Sequence, residues 1–450
     1  MTRSYAKLWF GTSGLWGLPV MAAALFAQPD ALSAQAEASP LAAQVEALVA
    51  ELEPKVVAWR RDLHEHPELS NREFRTSALV AEHLRSLGME VRTEVAHTGV
   101  VGVLRGGKPG PVVALRADMD GLPVEELVDL PFRSRERTEY NGQEVGVMHA
   151  CGHDNHVAIL MGAAEVLSRV RDDIPGTIVF LFQPAEEGPP EGEEGGASLM
   201  IEQGAMADPA PEAIFGLHVW PEPVGSITYR PRGTMAASDN LSITVRGRQT
   251  HGAVPWGGVD PIVVSSQIVM GLQTITSRQT DVTSAPAIVT IGSMHGGVRG
   301  NIIPDSVTLV GTIRTFDRDM QLDIHERIRR TAEQIAASAG AEAEVRIDFG
   351  NVVTYNDPDL TDWAVPTLQR AAGSDRVWLR NPITGAEDFS RFQEVIPGVF
   401  FFLGIVPEGQ DPRSAPANHS PYFFADEGAL PVGVKAMANL ALDYLHRGDR

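Results

Sequence analysis

GTIVFLFQPAEEG, residues 176–188, reads as a buried strand that runs into a loop and ends on two consecutive carboxylates, Glu186 and Glu187. The segments around it repeat the arrangement. NHVAILMGAAEVLSRV (155–170) has helical spacing, while GVVGVLRG (99–106) and PVVALRADMD (111–120) are β-rich, the second ending on Asp118 and Asp120. Two further helices are expected over residues 41–68 and 75–87, the latter stopped by Gly88. Strands alternating with helices indicate an α/β fold with a mostly parallel sheet, in which ligands gather beyond the carboxyl ends of the strands. All four of these acids fall at such ends.

The middle of the chain has another rhythm. DNLSITVRGR (239–248), GVDPIVVSSQIVMGLQTITSRQ (258–279), PAIVTIGSMHGG (286–297), DSVTLVGTIRTF (305–316), a helix over 319–340 and AEVRIDFG (343–350) spell β-α-β-β-α-β, the ferredoxin-like order. The expected plan is therefore a larger α/β domain, residues 40–235 and 351–450, interrupted by a smaller inserted domain, residues 236–350.

Residues 1–36 read as a secretory signal peptide. Arg3 and Lys7 precede an apolar stretch, and ALSAQA (31–36) offers small residues for cleavage near Ala36. Gly11, Gly14, Gly17 and Pro19 interrupt that stretch and no charged stop-transfer flank follows, so no stable membrane anchor is expected and the chain is expected to be exported, periplasmic or secreted. A formal net charge of −21 excludes the basic footprint that nucleic-acid binding needs.

Cys151 is the single cysteine of the chain, so no intrachain disulfide is possible. It stands in HACGHDNH (149–156), flanked by His149, His153 and His156. A thiolate nucleophile needs a histidine base and an orienting group, and a histidine two residues away says little about either. Clustered donors are commoner where they converge on a metal. Glu186 and Glu187 at a strand mouth, His218 at the end of FGLHVWP and His419 in ANHSPYF complete a Cys/His/Glu set of the kind that binds a pair of borderline metals such as Zn, Mn or Co. A second acidic pair, Glu193–Glu194, lies seven residues further along a Pro/Gly loop; the first pair is preferred because a strand delivers it rigidly.

RADMDGLP, MHACGHDNH, QPAEEG, GLHVWP, GNIIPD, GAEDFS and NHS occur in this order between about residues 55 and 445. Together they resemble the M20-type metallopeptidase-related amidohydrolases, the branch of hippurate hydrolase, N-acyl-amino-acid hydrolases and plant auxin-conjugate hydrolases. The resemblance implies a two-metal catalytic domain with an inserted lid. It implies that Cys151 bridges the metals, that His153, Glu187, His218 and His419 are the other ligands, and that Glu186 is the general base. Asp118 and Asp120 would orient the ligating histidines, and His156 reads as structural. From the lid, His251 would steady the tetrahedral oxyanion in its own or a neighbouring subunit's site, and Asn301 and Arg314 are candidates for substrate binding, Arg314 by gripping a carboxylate. Other branches place a metal-ligating histidine on the strand of RADMDG, where this chain has Arg116. The implied reaction is hydrolysis of the amide bond of an N-acyl amino acid, with cleavage of short peptides by the same site as the alternative, in a homodimer or higher homo-oligomer joined through the lid.

Overall fold

The computed structural model describes residues 38–447, so the signal-peptide reading lies outside the described residues. An eight-stranded sheet runs in the order Glu90–Val95, Gly99–Arg105, Pro175–Gln183, Lys108–Asp118, Ala213–Pro223, Gly398–Val406, Ile227–Tyr229, Val377–Leu379. The expectation of a parallel sheet holds in its centre, where the strands beginning at Pro175, Lys108, Ala213 and Gly398 pair in parallel. Towards one edge Gly99–Arg105 and Glu90–Val95 join antiparallel, so the sheet as a whole is mixed.

The strand Pro175–Gln183 shows how the layers form. Successive side chains of a strand point to opposite faces. Ile178, Phe180 and Phe182 enter one core, beneath the helices Ala42–Glu65, His153–Arg169 and Leu430–His446, while Val179 and Leu181 enter a second core with Ala197, Met200, Phe389 and Phe392. A sheet covered on both faces explains the near-continuous apolar run. Burying each phenylalanine contributes roughly 1.5–3 kcal/mol.

A buried ionic group locks the first helix to the helix that begins at His153. Arg60 Nε and His64 Nδ1 lie 2.9 and 2.8 Å from Asp154 Oδ2, and His64 Nε2 lies 3.2 Å from Glu126 Oε1. The Asp154 carboxyl has burial working against its ionisation, yet Arg60 and His64 hold it well below the usual carboxylate range.

The inserted β-α-β-β-α-β unit forms a separate four-stranded antiparallel sheet in the order Ala287–His295, Ser306–Thr315, Ala237–Arg246, Glu342–Phe349. Its helices Pro261–Thr274 and Arg318–Ser338 cover one face through a core of its own, including Ile243, Leu309, Ile268 and Ile328. Asp260 and Asp317 start these helices by accepting backbone N–H bonds from the first turn.

Candidate metal centre

Strand ends and one helix start deliver the donors to a single point. The Glu186–Glu187 pair follows Pro175–Gln183, and His218 lies within Ala213–Pro223. His153 opens the helix His153–Arg169, entered through Gly152 at φ 99°. Only glycine fits there, because a Cβ would stand 2.3 Å from Val219 Cγ2. His419 comes from a loop tied back to the Cys151 segment: its amide donates to Ala150 O at 2.8 Å, and Asn418 Nδ2 donates to Cys151 O at 2.9 Å.

Cys151 Sγ lies between two imidazoles, 3.3 Å from His218 Nε2 and 3.3 Å from His419 Nε2. Glu187 Oε1 is 3.0 Å from His419 Nε2, and Glu186 Oε2 is 3.9 Å from His153 Nε2. The far nitrogens are engaged. His218 Nδ1 donates to Val219 O at 2.7 Å, and His153 Nδ1 donates to Asp120 Oδ1 at 3.2 Å. Each Nε2 therefore turns a lone pair inward.

The donor set fits divalent metal ions. His153 Nε2 is buried without a hydrogen-bond partner, as suits a ring nitrogen that would bind a cation. Burial, Glu187 and Glu186 push the Cys151 thiol well above its ordinary range. A thiol surrounded by carboxylates rather than cations is a poor free nucleophile but a good ligand once positive charge is supplied. Burial likewise keeps His218 neutral by lowering it well below the usual imidazole range. Sulfur, imidazole and carboxylate together suit the borderline metals.

Asp120 and Asp118 divide what the sequence reading had joined. Asp120 bonds the candidate ligand His153 and also accepts the amides of Glu186 and Glu187 at 3.1 and 3.0 Å. Asp118 instead bonds His156 Nδ1 at 2.5 Å and Arg116 at 2.6 Å, and stays 3.8 Å from His153. A buried guanidinium beside Asp118 draws it away from the ligand shell, so its orienting role passes to His156. That histidine accepts the Val219 amide at 2.9 Å and thus steadies the strand carrying His218.

Behind Glu186 lies a buried network centred on Arg116, to which no local sequence pattern assigns a role. Arg116, 1% exposed, donates to Gln183 Oε1, Asp118 Oδ2, Glu387 Oε1 and Asp388 Oδ1 at 2.9, 2.6, 2.9 and 3.1 Å. Gln183 Nε2 and the Ala197 amide hold Asp388 from the other side. Oxygens of Glu186, Glu387 and Asp388 come within 4.8 Å of one another. Burial, then the neighbouring Glu387 and Glu187, raise Glu186 well above the usual carboxyl range. An arginine within the apolar run VVALRAD and the acids of GAEDFS were the available signals.

The second acidic pair sits apart from the donors, with Glu193 engaged by Arg72 and Asn71. The lid candidates are also outside this cluster. His251 is exposed and accepts the Ala253 amide at 2.9 Å; Asn301 is exposed and accepts the Gly252 amide at 2.8 Å, which places the two side by side. Arg314 is half-buried and donates to Thr312 and to Ile313 O.

An α/β domain with an inserted ferredoxin-like unit and a Cys/His/Glu centre at the strand ends defines a class of metallohydrolase. Residues 114–443 match the model of Peptidase family M20/M25/M40, and the chain belongs to that family, the metal-dependent hydrolases of amide bonds. It is 42% identical over 400 residues to thermostable carboxypeptidase 2 of Saccharolobus solfataricus, covering 88% of this chain and 97% of that one. It is 37% identical over 382 residues to N-acetyl-L-cysteine deacetylase of Bacillus subtilis, covering 84% and 85%. Among solved structures it is similar to the Bacillus subtilis YxeP protein, described as a dinuclear metal-binding peptidase of the M20 family, with a TM-score of 0.73, 34% identity and coverage of 88% and 99%.

Proposed function

We propose that the chain hydrolyses the amide bond of N-acyl amino acids, with Cys151, His153, Glu187, His218 and His419 holding two divalent ions, Zn, Mn or Co, and Glu186 acting as general base. The convergence of these five donors beside a carboxylate that is not needed as a ligand carries the reading. When bound, the ions supply Lewis acidity at the scissile carbonyl and lower the pKa of water. Cys151, placed between His218 and His419, would help hold the ions as a thiolate. Glu186 takes the proton of the attacking water and returns it to the departing amine nitrogen.

His251 would add a donor toward the oxyanion, Asn301 would contact the substrate and Arg314 would grip its carboxylate, when the lid's exposed edge meets the site or that of a second copy. Ile288 and Val310, 39% and 45% exposed on the uncovered face of the lid sheet, support association through this domain. Export rests on the charged and apolar pattern of residues 1–36. Cleavage of short peptides is a second reading, favoured by the similarity to a carboxypeptidase.

The test is hydrolysis of N-acetyl amino acids, N-benzoyl amino acids and unblocked dipeptides before and after chelation, with Zn, Mn or Co restored singly. Activity lost on chelation and regained with one metal, greatest on the N-acyl substrates, is expected. Activity indifferent to chelation and abolished by thiol alkylation would replace the reading with a cysteine hydrolase.

A further inference from the structure

The turn that carries Glu186 and Glu187 has a backbone conformation that ordinary side chains avoid. Ala185 sits at φ 55°, the left-handed region that costs a residue with a Cβ and persists only where the surroundings over-determine it. Three consecutive amides leave this turn, and all three end on buried carboxylates. The Glu186 and Glu187 amides go to Asp120, and the Ala185 amide donates to Glu73 Oε1 at 2.9 Å.

Glu73 has no place in the chemistry proposed above, and it is 0% exposed. It stands at the N-terminal boundary of the helix Phe74–Ser86, so a regular element presents its carboxyl group. Its second oxygen meets Thr98 Oγ1 at 2.5 Å. Burial, then Asp120, push Glu73 up to about 8, which favours a neutral acid with one oxygen accepting from Ala185 and the other facing the Thr98 hydroxyl. The same short segment fastens the far end of the loop: Asn71 Nδ2 donates to Glu194 O at 3.0 Å, and Arg72 pairs with Glu193.

Resting on the hydrolase reading, we propose that Glu73 is a positioning residue whose hydrogen bond to the Ala185 amide holds Ala185 left-handed and so aims Glu186 and Glu187 into the metal centre. Methionine matches the length of glutamate without an acceptor, and would leave the Ala185 amide buried and unpaired. Glutamine reproduces both contacts of the neutral acid. Glycine at 185 adopts the required φ without the Cβ penalty, so it should make the turn less dependent on Glu73.

The experiment compares kcat, KM, bound metal by mass spectrometry and hydrogen exchange of residues 184–188 across Glu73→Met, Glu73→Gln, Ala185→Gly and the Glu73→Met/Ala185→Gly double variant. Glu73→Met is expected to lower kcat about 10–100-fold with KM held within about threefold, since misplacement of reacting groups acts mainly on the bound complex. Exchange of 184–188 accelerates in that variant, and because Glu187 sits on the same turn its metal is held less tightly, so kcat is compared with metal in excess. Glu73→Gln keeps kcat within about threefold of the parent, and glycine at 185 recovers part of the methionine loss. Parent-like kcat and exchange in Glu73→Met, or an equal loss in Glu73→Gln, would overturn the proposal. If Glu73→Met does not fold, the parent protein decides: segment 184–188 exchanging as fast as 189–195 overturns the assignment, and slower exchange supports it. Should the parent hydrolyse none of the substrates, the hydrolase reading fails by itself, while the exchange comparison still tests whether Glu73 holds this turn.

Discussion

The residues gathered at the strand ends and those carried by the inserted domain are held in opposite ways. His153, His218 and Cys151 are buried, and each imidazole has its far nitrogen fastened to Asp120 or to the Val219 carbonyl. His251 and Asn301 are exposed at a pair of two-residue strands, where the His251 ring accepts the Ala253 amide and the Asn301 carbonyl accepts the Gly252 amide. Groups that must share cations at fixed separations need a rigid frame. Groups that meet only substrate can remain at a surface until the substrate arrives.

Substitutions should separate these two designs sharply. Glu186→Gln preserves shape but removes the proton acceptor, and is expected to lower kcat by about 10²–10⁴ while metal content, read by mass spectrometry, stays unchanged. A loss of metal instead would make Glu186 a ligand and blur the division. Arg116→Met removes the guanidinium contacting Asp118, Glu387 and Asp388. Uncompensated buried charge of this kind costs about 3–5 kcal/mol, visible as a lower midpoint in denaturant. A midpoint within error of the parent would mean that the acids neutralise themselves by taking up protons.

The frame was more legible in the sequence than its supports. The run 176–188 discloses a strand buried on both faces and the position of its terminal acids, because burial and period act on neighbouring residues. The β-α-β-β-α-β order of the lid is legible for the same reason. Arg116 and Glu387 are 271 residues apart, and Glu73 and Ala185 are 112 apart; no local pattern announces such pairings. Asp118 and Asp120 look equivalent in RADMD, two residues apart, although the strand ends at Asp118 and Asp120 lies just beyond it. Only the buried Arg116 and His156 beside Asp118 reveal that the pair serves different partners.

That split gives the next test. Asp120→Asn weakens the hold on His153 and on both amides of the acidic pair, and is expected to reduce metal affinity about 10–100-fold, measured by titration with a competing chelator. Asp118→Asn should leave metal affinity closer to that of the parent, with its loss in stability instead. Acid probes the same frame. A carboxyl held below its unfolded value near 3.9 contributes stability above that pH and loses it as the pH falls toward the folded value. Asp154, held down by Arg60 and His64, should therefore make unfolding easier below about pH 4, and Asp154→Asn should flatten that part of the profile.

The smallest effects on stability are expected in the inserted domain. His251→Ala removes an exposed imidazole whose described bond is to its own turn, so the unfolding free energy should move by no more than about 0.5 kcal/mol, with bound metal unchanged. Its cost should fall on kcat alone, because an oxyanion donor acts mainly in the transition state. Arg314→Gln should instead raise KM for substrates with a free carboxylate and leave the corresponding amides unaffected. Parent-like kinetics in both variants would leave the buried frame to carry catalysis and substrate recognition without these two residues. Loss of metal on changing either one would show that the surface half is as much part of the frame as the strand ends.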